Sequence, residues 1–229
     1  MPAPRLRAVT FDLDGLILNT ELLYERCGAE LLRRRGKVFT KELLDRMMGR
    51  PGHISLQIMI DEHALPISAL DLLAESDEVF KGIMEAELAL MPGLLELLDL
   101  LEQRGLPKGI ATSSRRNHAD YALGRFNLLP RFDFILTAED ITHGKPDPEI
   151  YLKAAAKHGV DPGEMLVLED SQNGCRAAVA AGAYAVAVPG PHNAGHNYDG
   201  AKFEAVTLAD PRIRELLANS GVDERRRTS

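Results

Sequence analysis

An α/β fold carrying an all-helical insert is what this sequence predicts, on three observations. Short apolar runs rich in β-branched residues and alanine alternate with helical patterns, residues 20 to 90 interrupt that alternation with helical patterns alone, and carboxylates stand where apolar runs end. Strands alternating with helices mean a parallel sheet covered by helices.

Taken in order, the five strand candidates are Leu6 to Leu13, Lys108 to Thr112, Phe132 to Thr137, Met165 to Leu168 and Tyr184 to Val188. The helices between them carry their own signals. In "PGLLELLDLLEQRG", Leu94, Leu97, Leu98 and Leu101 follow the i, i+3, i+4, i+7 pattern and Gly105 sits where the helix should stop. In "KPDPEIYLKAAAKHG", Asp147 reads as an N-cap, Pro148 as the first helical residue and Gly159 as the stop. Within the insert four helices fit. Thr20 opens the first and Thr40 the second, a third spans Ile54 to His63, and Ser68 opens a long fourth with Leu72, Val79, Phe80, Ile83 and Leu88 at helical spacing. Met47, Met48, Met59 and Met84 fall on apolar faces as core filler. We therefore expect a core domain of residues 1–18 and 91–229 and a cap domain of residues 19–90, with the polar segment after Leu217 as a frayed tail. An insert after the first strand would lie beside the carboxyl ends of the strands, where open α/β sheets bind ligands, and would serve as a lid.

Composition narrows the function classes. Against 34 acidic side chains stand 27 basic ones, a net charge of −7, and the basic residues cluster only at Arg33 to Arg35 and Arg225 to Arg227. Nucleic acid is an unsuitable partner for such a surface. Cys27 and Cys175 have neither disulfide-framework nor metal-binding spacing, which fits a reducing cytoplasm. No apolar run is long enough for a membrane span, and the strand pattern begins too early for a signal peptide. We expect a cytoplasmic protein without a membrane partner, a monomer or a dimer.

Four polar clusters stand at the expected ends of four strands: Asp12 with Asp14, Thr112 to Ser114, Lys145, and Glu169 with Asp170. Carboxylates, one ammonium and hydroxyls converging on one crevice suit a divalent cation and an anionic substrate, because those charges offset one another in a desolvated place. Taken singly the clusters read otherwise. "HGKPD" serves as a turn and cap, "TSS" as a cap for a helix over Arg115 to Gly124, and "LEDSQNG" as a strand followed by a Ser or Asn cap. A calcium loop at Asp12 has Leu16 at its fifth position and a misplaced glycine. None of these readings explains the order of the four.

The four together resemble the haloacid dehalogenase superfamily, and within it the β-phosphoglucomutase-like branch with a helical cap. "FDLDGLILNTE" is similar to the nucleophile motif, "ATSS" to the threonine or serine motif, "HGKPDPEIYLKAA" to the lysine motif and "LVLEDSQNG" to the acidic metal motif, over nearly the whole chain. The resemblance implies a Rossmann-like core and a phosphatase that uses Mg²⁺. It implies Asp12 as nucleophile forming an aspartyl-phosphate and Asp14 as general acid and base. Lys145 with Thr112 or Ser113 would neutralise the phosphoryl group. Asp12, the carbonyl of Asp14, Glu169 and Asp170 would hold the metal.

Departures from the family refine the expectation. Tyr24 stands where mutases of this branch carry a histidine, which disfavours phosphosugar isomerisation. Asp14 is absent from dehalogenases and replaced in phosphonatases, so hydrolysis of a phosphate ester remains. Asn19 replaces the common Asp. "LLYERC", "MMGRPG", "ALMPG" and "ATSSRRN" resemble the pseudouridine-5′-phosphatase and 2-deoxyglucose-6-phosphatase group, implying a small sugar, polyol or nucleoside phosphate as partner. Arg50, His53 and Tyr24, with Lys81, are the cap residues expected to select it. The seven histidines lack metal spacing and read as surface or core residues, His53 being the exception by its place after "GRPG". A mutase, and a non-catalytic sensor of phosphorylated metabolites, are the competing functions.

Overall fold

A computed structural model describes residues 5–47, 52–193 and 195–218. Met48, Arg50 and the tail from residue 219 lie outside the described residues. The chain divides into two compact units, Met1–Leu18 with Leu90–Ser229, and Asn19–Ala89.

The first unit is built on five parallel strands: β1 (Ala8–Phe11), β2 (Lys108–Ala111), β3 (Phe134–Leu136), β4 (Met165–Glu169) and β5 (Tyr184–Ala187), in the order β3-β2-β1-β4-β5. The α/β fold class expected from the alternation is the one observed. β1, β2, β3 and β5 are shorter than their apolar runs, which also include buried residues such as Leu6, Leu13 and Phe132 outside the ladder, while β4 runs one residue further, to Glu169. Phe11 pairs with Ile110 on one side and Leu168 on the other, so β1, β2 and β4 end at one level. That register brings Asp12, Thr112 and Glu169 to the same edge of the sheet.

Helices α5 (Leu94–Gln103), α6 (Arg116–Gly124), α7 (Glu149–His158), α8 (Gln172–Ala180) and α9 (Pro211–Ala218) complete this unit. Leu94, Leu97, Leu98 and Leu101 of α5 are all buried, as the spacing requires. Alanines 154, 155, 177 and 178 of α7 and α8 pack with Ala8, Val167 and Ala185 of the sheet in one apolar cluster, small side chains that let helix and strand backbones approach closely. Helix α7 starts one residue later than expected. Pro148 precedes its first turn, and the Asp147 carboxylate accepts from the Glu149 N–H at 2.9 Å, because a residue without an N–H leaves the next amide as the one to cap. Gly159 ends the helix in the left-handed conformation that the Gly stop anticipates.

The second unit is helical throughout its described residues: α1 (Thr20–Arg33), α2 (Lys41–Met47), α3 (Gly52–His63) and α4 (Ala69–Glu87). Ser68 caps α4 through the Asp71 N–H, and Met59, Met84, Leu43, Leu56 and Leu72 are buried. Asn19 joins the two ends of this unit. Its Oδ1 accepts from Ala89 N at 2.8 Å while its Nδ2 donates to Glu87 O at 3.1 Å. An ionised aspartate could not make the second bond.

Candidate active site

Asp12 leaves β1 with its amide bonded to Leu168 O at 3.0 Å, so the β4 backbone sets where its side chain starts. Gly15, at φ 80°, then turns the chain in the left-handed region, and Ile17 and Leu18 donate back to Leu13 O. This tight turn puts Asp12 and Asp14 at the sheet edge. Asp12 is 6% exposed.

Lys145 reaches Asp12 from the loop ahead of α7. Its Nζ donates to Asp12 Oδ1 at 2.5 Å, Glu169 Oε1 at 2.6 Å and Ala111 O at 3.0 Å, which uses all three ammonium protons. Glu169 is fully buried and equally engaged: Tyr151 donates to its Oε1 at 2.5 Å, and the Ser171 hydroxyl and N–H donate to its Oε2 at 3.0 and 3.3 Å. Helix α8 presses on the same carboxylate, since a Cβ on Gly174 would stand 1.8 Å from Glu169 Oε1. Only glycine fits there.

Asp170 follows, 3% exposed, with Oδ2 accepting from Asn193 Nδ2 at 2.6 Å. Oxygens of Asp12, Glu169 and Asp170 lie within 4.8 Å of one another. Among the described residues, three buried carboxylates thus gather around the buried Lys145 ammonium. Burial pushes the Asp12 carboxyl above its ordinary pKa, with Glu169 and Asp14 pushing the same way against the pull of Lys145. Burial opposes the Lys145 cation, yet Asp12 and Glu169 outweigh it and hold its pKa above the ordinary value. The surplus of hard oxygen ligands fits an oxygen-seeking divalent cation such as Mg²⁺.

Asp14 turns the other way. Its Oδ2 accepts from Ser114 Oγ at 2.6 Å and Thr112 Oγ1 at 3.3 Å, and its Oδ1 stands 3.2 Å from His118 Nε2. Burial works against a charged His118, but the bond to Asp14 and its charge prevail and raise the imidazole pKa. Beside Thr112, the candidate Ser113 is exposed, and it is the next residue, Ser114, that is bonded to Asp14. The reading of His118 as plain surface or core is corrected here: it shares Asp14 with Ser114, four residues earlier, just ahead of and within α6. His158 does fill a core role, 3.1 Å from Thr10 Oγ1 and packed on Phe134.

The cap candidates lie in or next to the helical unit. Tyr24, on α1, stacks on Phe80 of α4 at 4.3 Å between ring centroids, and His53 is exposed at the start of α3. His143, Asp147 and the half-buried Glu149 also lie close enough to share an ion. Their arrangement is explained by the turn before α7, since Glu149 accepts from the Thr142 and His143 N–H groups and pairs with Lys153.

Tyr151, Ser114, His118, Asn193 and Tyr198 carry polar work that the sequence reading did not assign. For Tyr151 a signal existed: it shares a helical face with Ala154 and Ala155, and a hydroxyl on a buried stripe requires a partner. The others have none within reach of local pattern.

Comparison with known proteins gives a consistent relationship. The profile of haloacid dehalogenase-like hydrolases matches residues 9–188. A Streptomyces hygroscopicus subsp. limoneus protein named validoxylamine A 7′-phosphate phosphatase is 30% identical, over 92% of this chain and 94% of its own. A Drosophila melanogaster protein named probable pseudouridine-5′-phosphatase is 33% identical, over 90% and 92%. A crystal structure from Thermotoga maritima, provisionally titled a β-phosphoglucomutase, is 30% identical and superposes with a TM-score of 0.80 over 92% of this chain and 99% of that one. Among the described residues no helix is long and apolar enough to cross a membrane.

Proposed function

Because the chain belongs to the haloacid dehalogenase-like hydrolases, we propose that it is a Mg²⁺-dependent phosphatase acting on a small sugar, polyol or nucleoside phosphate through an aspartyl-phosphate on Asp12. The observation that carries this reading is the pairing of a buried Asp12 with Lys145 at 2.5 Å, two residues before an Asp14 held by hydroxyls and an imidazole. A nucleophile beside a fixed cation, with a second carboxyl close by, is what transfer of a phosphoryl group needs.

In the first step an Asp12 carboxylate oxygen attacks phosphorus as the ester bond breaks, and Asp14 gives its proton to the departing alkoxide. In the second a water attacks phosphorus and Asp14 takes its proton. The acyl-phosphate bond then breaks, releasing inorganic phosphate and restoring Asp12. Lys145, with Thr112 and Ser113, offsets charge on the phosphoryl oxygens. Asp12, Asp170, Glu169 and the carbonyl of Asp14 are the groups that would hold Mg²⁺, which when bound supplies Lewis-acid stabilisation of phosphoryl charge. Glu169 also anchors Lys145, with Tyr151 and Ser171 fixing its two oxygens.

We assign residues 19–90 the role of a cap that selects the substrate, with Arg50, His53 and Tyr24 as its specificity residues. The two named relatives act, by their names, on esters of quite different organic halves, which suits a constant phosphate site beside a variable cap. A mutase is disfavoured because Tyr24 offers a ring stacked on Phe80 in place of an imidazole. The test is release of inorganic phosphate from a panel of sugar, polyol and nucleoside monophosphates with and without Mg²⁺. Turnover of at least one ester, abolished by chelation, is expected. Interconversion of phosphosugars without phosphate release would favour the mutase, and binding without turnover the sensor.

A further inference from the structure

The loop after β5 makes bonds that the reaction steps above do not require. Asn193 is buried, 5% exposed, and its Nδ2 donates to Asp170 Oδ2 at 2.6 Å. An ionised carboxylate only accepts, so it is the amide nitrogen that faces it. Tyr198, also buried, spans the Asp170 carbonyl at 2.7 Å and the Asn193 carbonyl at 3.2 Å with one hydroxyl. Further along, the Asn197 N–H donates to Gln172 Oε1 at 3.0 Å in the first turn of α8. The loop is thereby bonded to the Asp170 side chain, to its backbone and to the helix that follows it.

The two neighbouring acids are treated differently. Lys145, Tyr151 and Ser171 donate to the two oxygens of Glu169, whereas the loop after β5 supplies Asp170 Oδ2 with the Asn193 amide. Groups that orient a metal-binding carboxylate by hydrogen bonds commonly set affinity as strongly as some ligands do.

We infer that Asn193 is a positioning residue that orients the Asp170 carboxylate toward the divalent cation, and that Tyr198 holds Asn193 in place for that task. The inference rests on the reading that Asp170 holds the cation. Titration calorimetry of the full chain with Mg²⁺ alone, on wild type, Asp170→Asn, Asn193→Ala and Tyr198→Phe, tests both. Asp170→Asn should lose Mg²⁺ binding, Asn193→Ala should weaken it by about 10-fold or more, and Tyr198→Phe by about 3-fold. In turnover assays the half-saturating Mg²⁺ concentration should rise by matching factors, while kcat at saturating Mg²⁺ falls by less. Wild-type Mg²⁺ affinity in Asp170→Asn would overturn the underlying reading. Lost affinity there, with Asn193→Ala and Tyr198→Phe both within two-fold of wild type, would overturn the inference and leave Asn193 a simple loop anchor. Tyr198→Phe preserves the ring and decides the matter by itself if circular dichroism shows Asn193→Ala misfolded.

Discussion

Lys145 and Lys41 each meet an aspartate at bonding distance, Asp12 at 2.5 Å and Asp45 at 2.9 Å, yet the side chains of the first pair are 5% and 9% exposed and those of the second 77% and 51%. The α/β unit places ion pairs and polar networks inside, around Asp12, Glu169 and Asp170. The helical unit keeps an apolar interior of residues such as Leu31, Leu43, Met59 and Leu72 and wears its charges outside, as in Arg33 with Glu30 or Arg46 with Glu62. An exposed pair stays in high dielectric and contributes little, whereas a buried one has given up several kcal/mol of hydration per ion. Buried charge that stability does not reward points to chemistry, and among the described residues it is confined to one unit.

The sharpest way to break that contrast is Asp12→Asn. The amide is nearly isosteric but cannot attack phosphorus, so turnover should fall at least about 10³-fold with unchanged circular dichroism. A residual rate above a tenth of wild type would remove Asp12 as nucleophile.

A second expectation concerns pH. Burial holds the His158 imidazole down from 6.5 to about 4. Between those values the unfolded chain binds a proton that the folded one does not, so stability is lost as pH falls through that window, by roughly 2–3 kcal/mol in all. Urea unfolding from pH 7 to 4 should show this slope, and His158→Gln should flatten it. An equal slope in both proteins would assign it to the carboxylates instead.

Gly174→Ala follows in size. The new methyl would collide with the Glu169 carboxylate, and such overpacking costs about 1–3 kcal/mol. Chemical denaturation should register that loss together with lower activity, because Lys145 moves with Glu169. Unaltered stability would mean that α8 yields at this contact.

Arg50→Ala, in the segment assigned to selection, should change relative kcat/KM among sugar and nucleoside phosphates by about 1–3 kcal/mol while sparing p-nitrophenyl phosphate. Equal losses on every ester would put Arg50 on the phosphate or in the fold. The smallest effect belongs to Lys41→Ala. Its solvent-exposed pair with Asp45 should leave the urea midpoint and kcat/KM unmoved, and a clear loss in either would show that the helical unit, too, depends on its charges.

By itself the sequence determined the α/β class, the helical character of the insert and the order of the four polar clusters along the chain. Each of these is local. Hydrophobic period distinguishes strand from helix within a short window, and the end of an apolar run marks the strand end where Asp12, Thr112 and Glu169 stand. What it could not determine is which neighbouring side chain turns inward. Ser114 rather than Ser113 bonds Asp14, and adjacent residues in an irregular loop carry no period to separate them. His118 meets Asp14 across 104 positions and Asn193 meets Asp170 across 23, from loops and a helix start whose courses depend on the sheet order β3-β2-β1-β4-β5. Strand order and loop path decide such contacts, because hydrogen bonds act over about 3 Å in space whatever the distance along the chain.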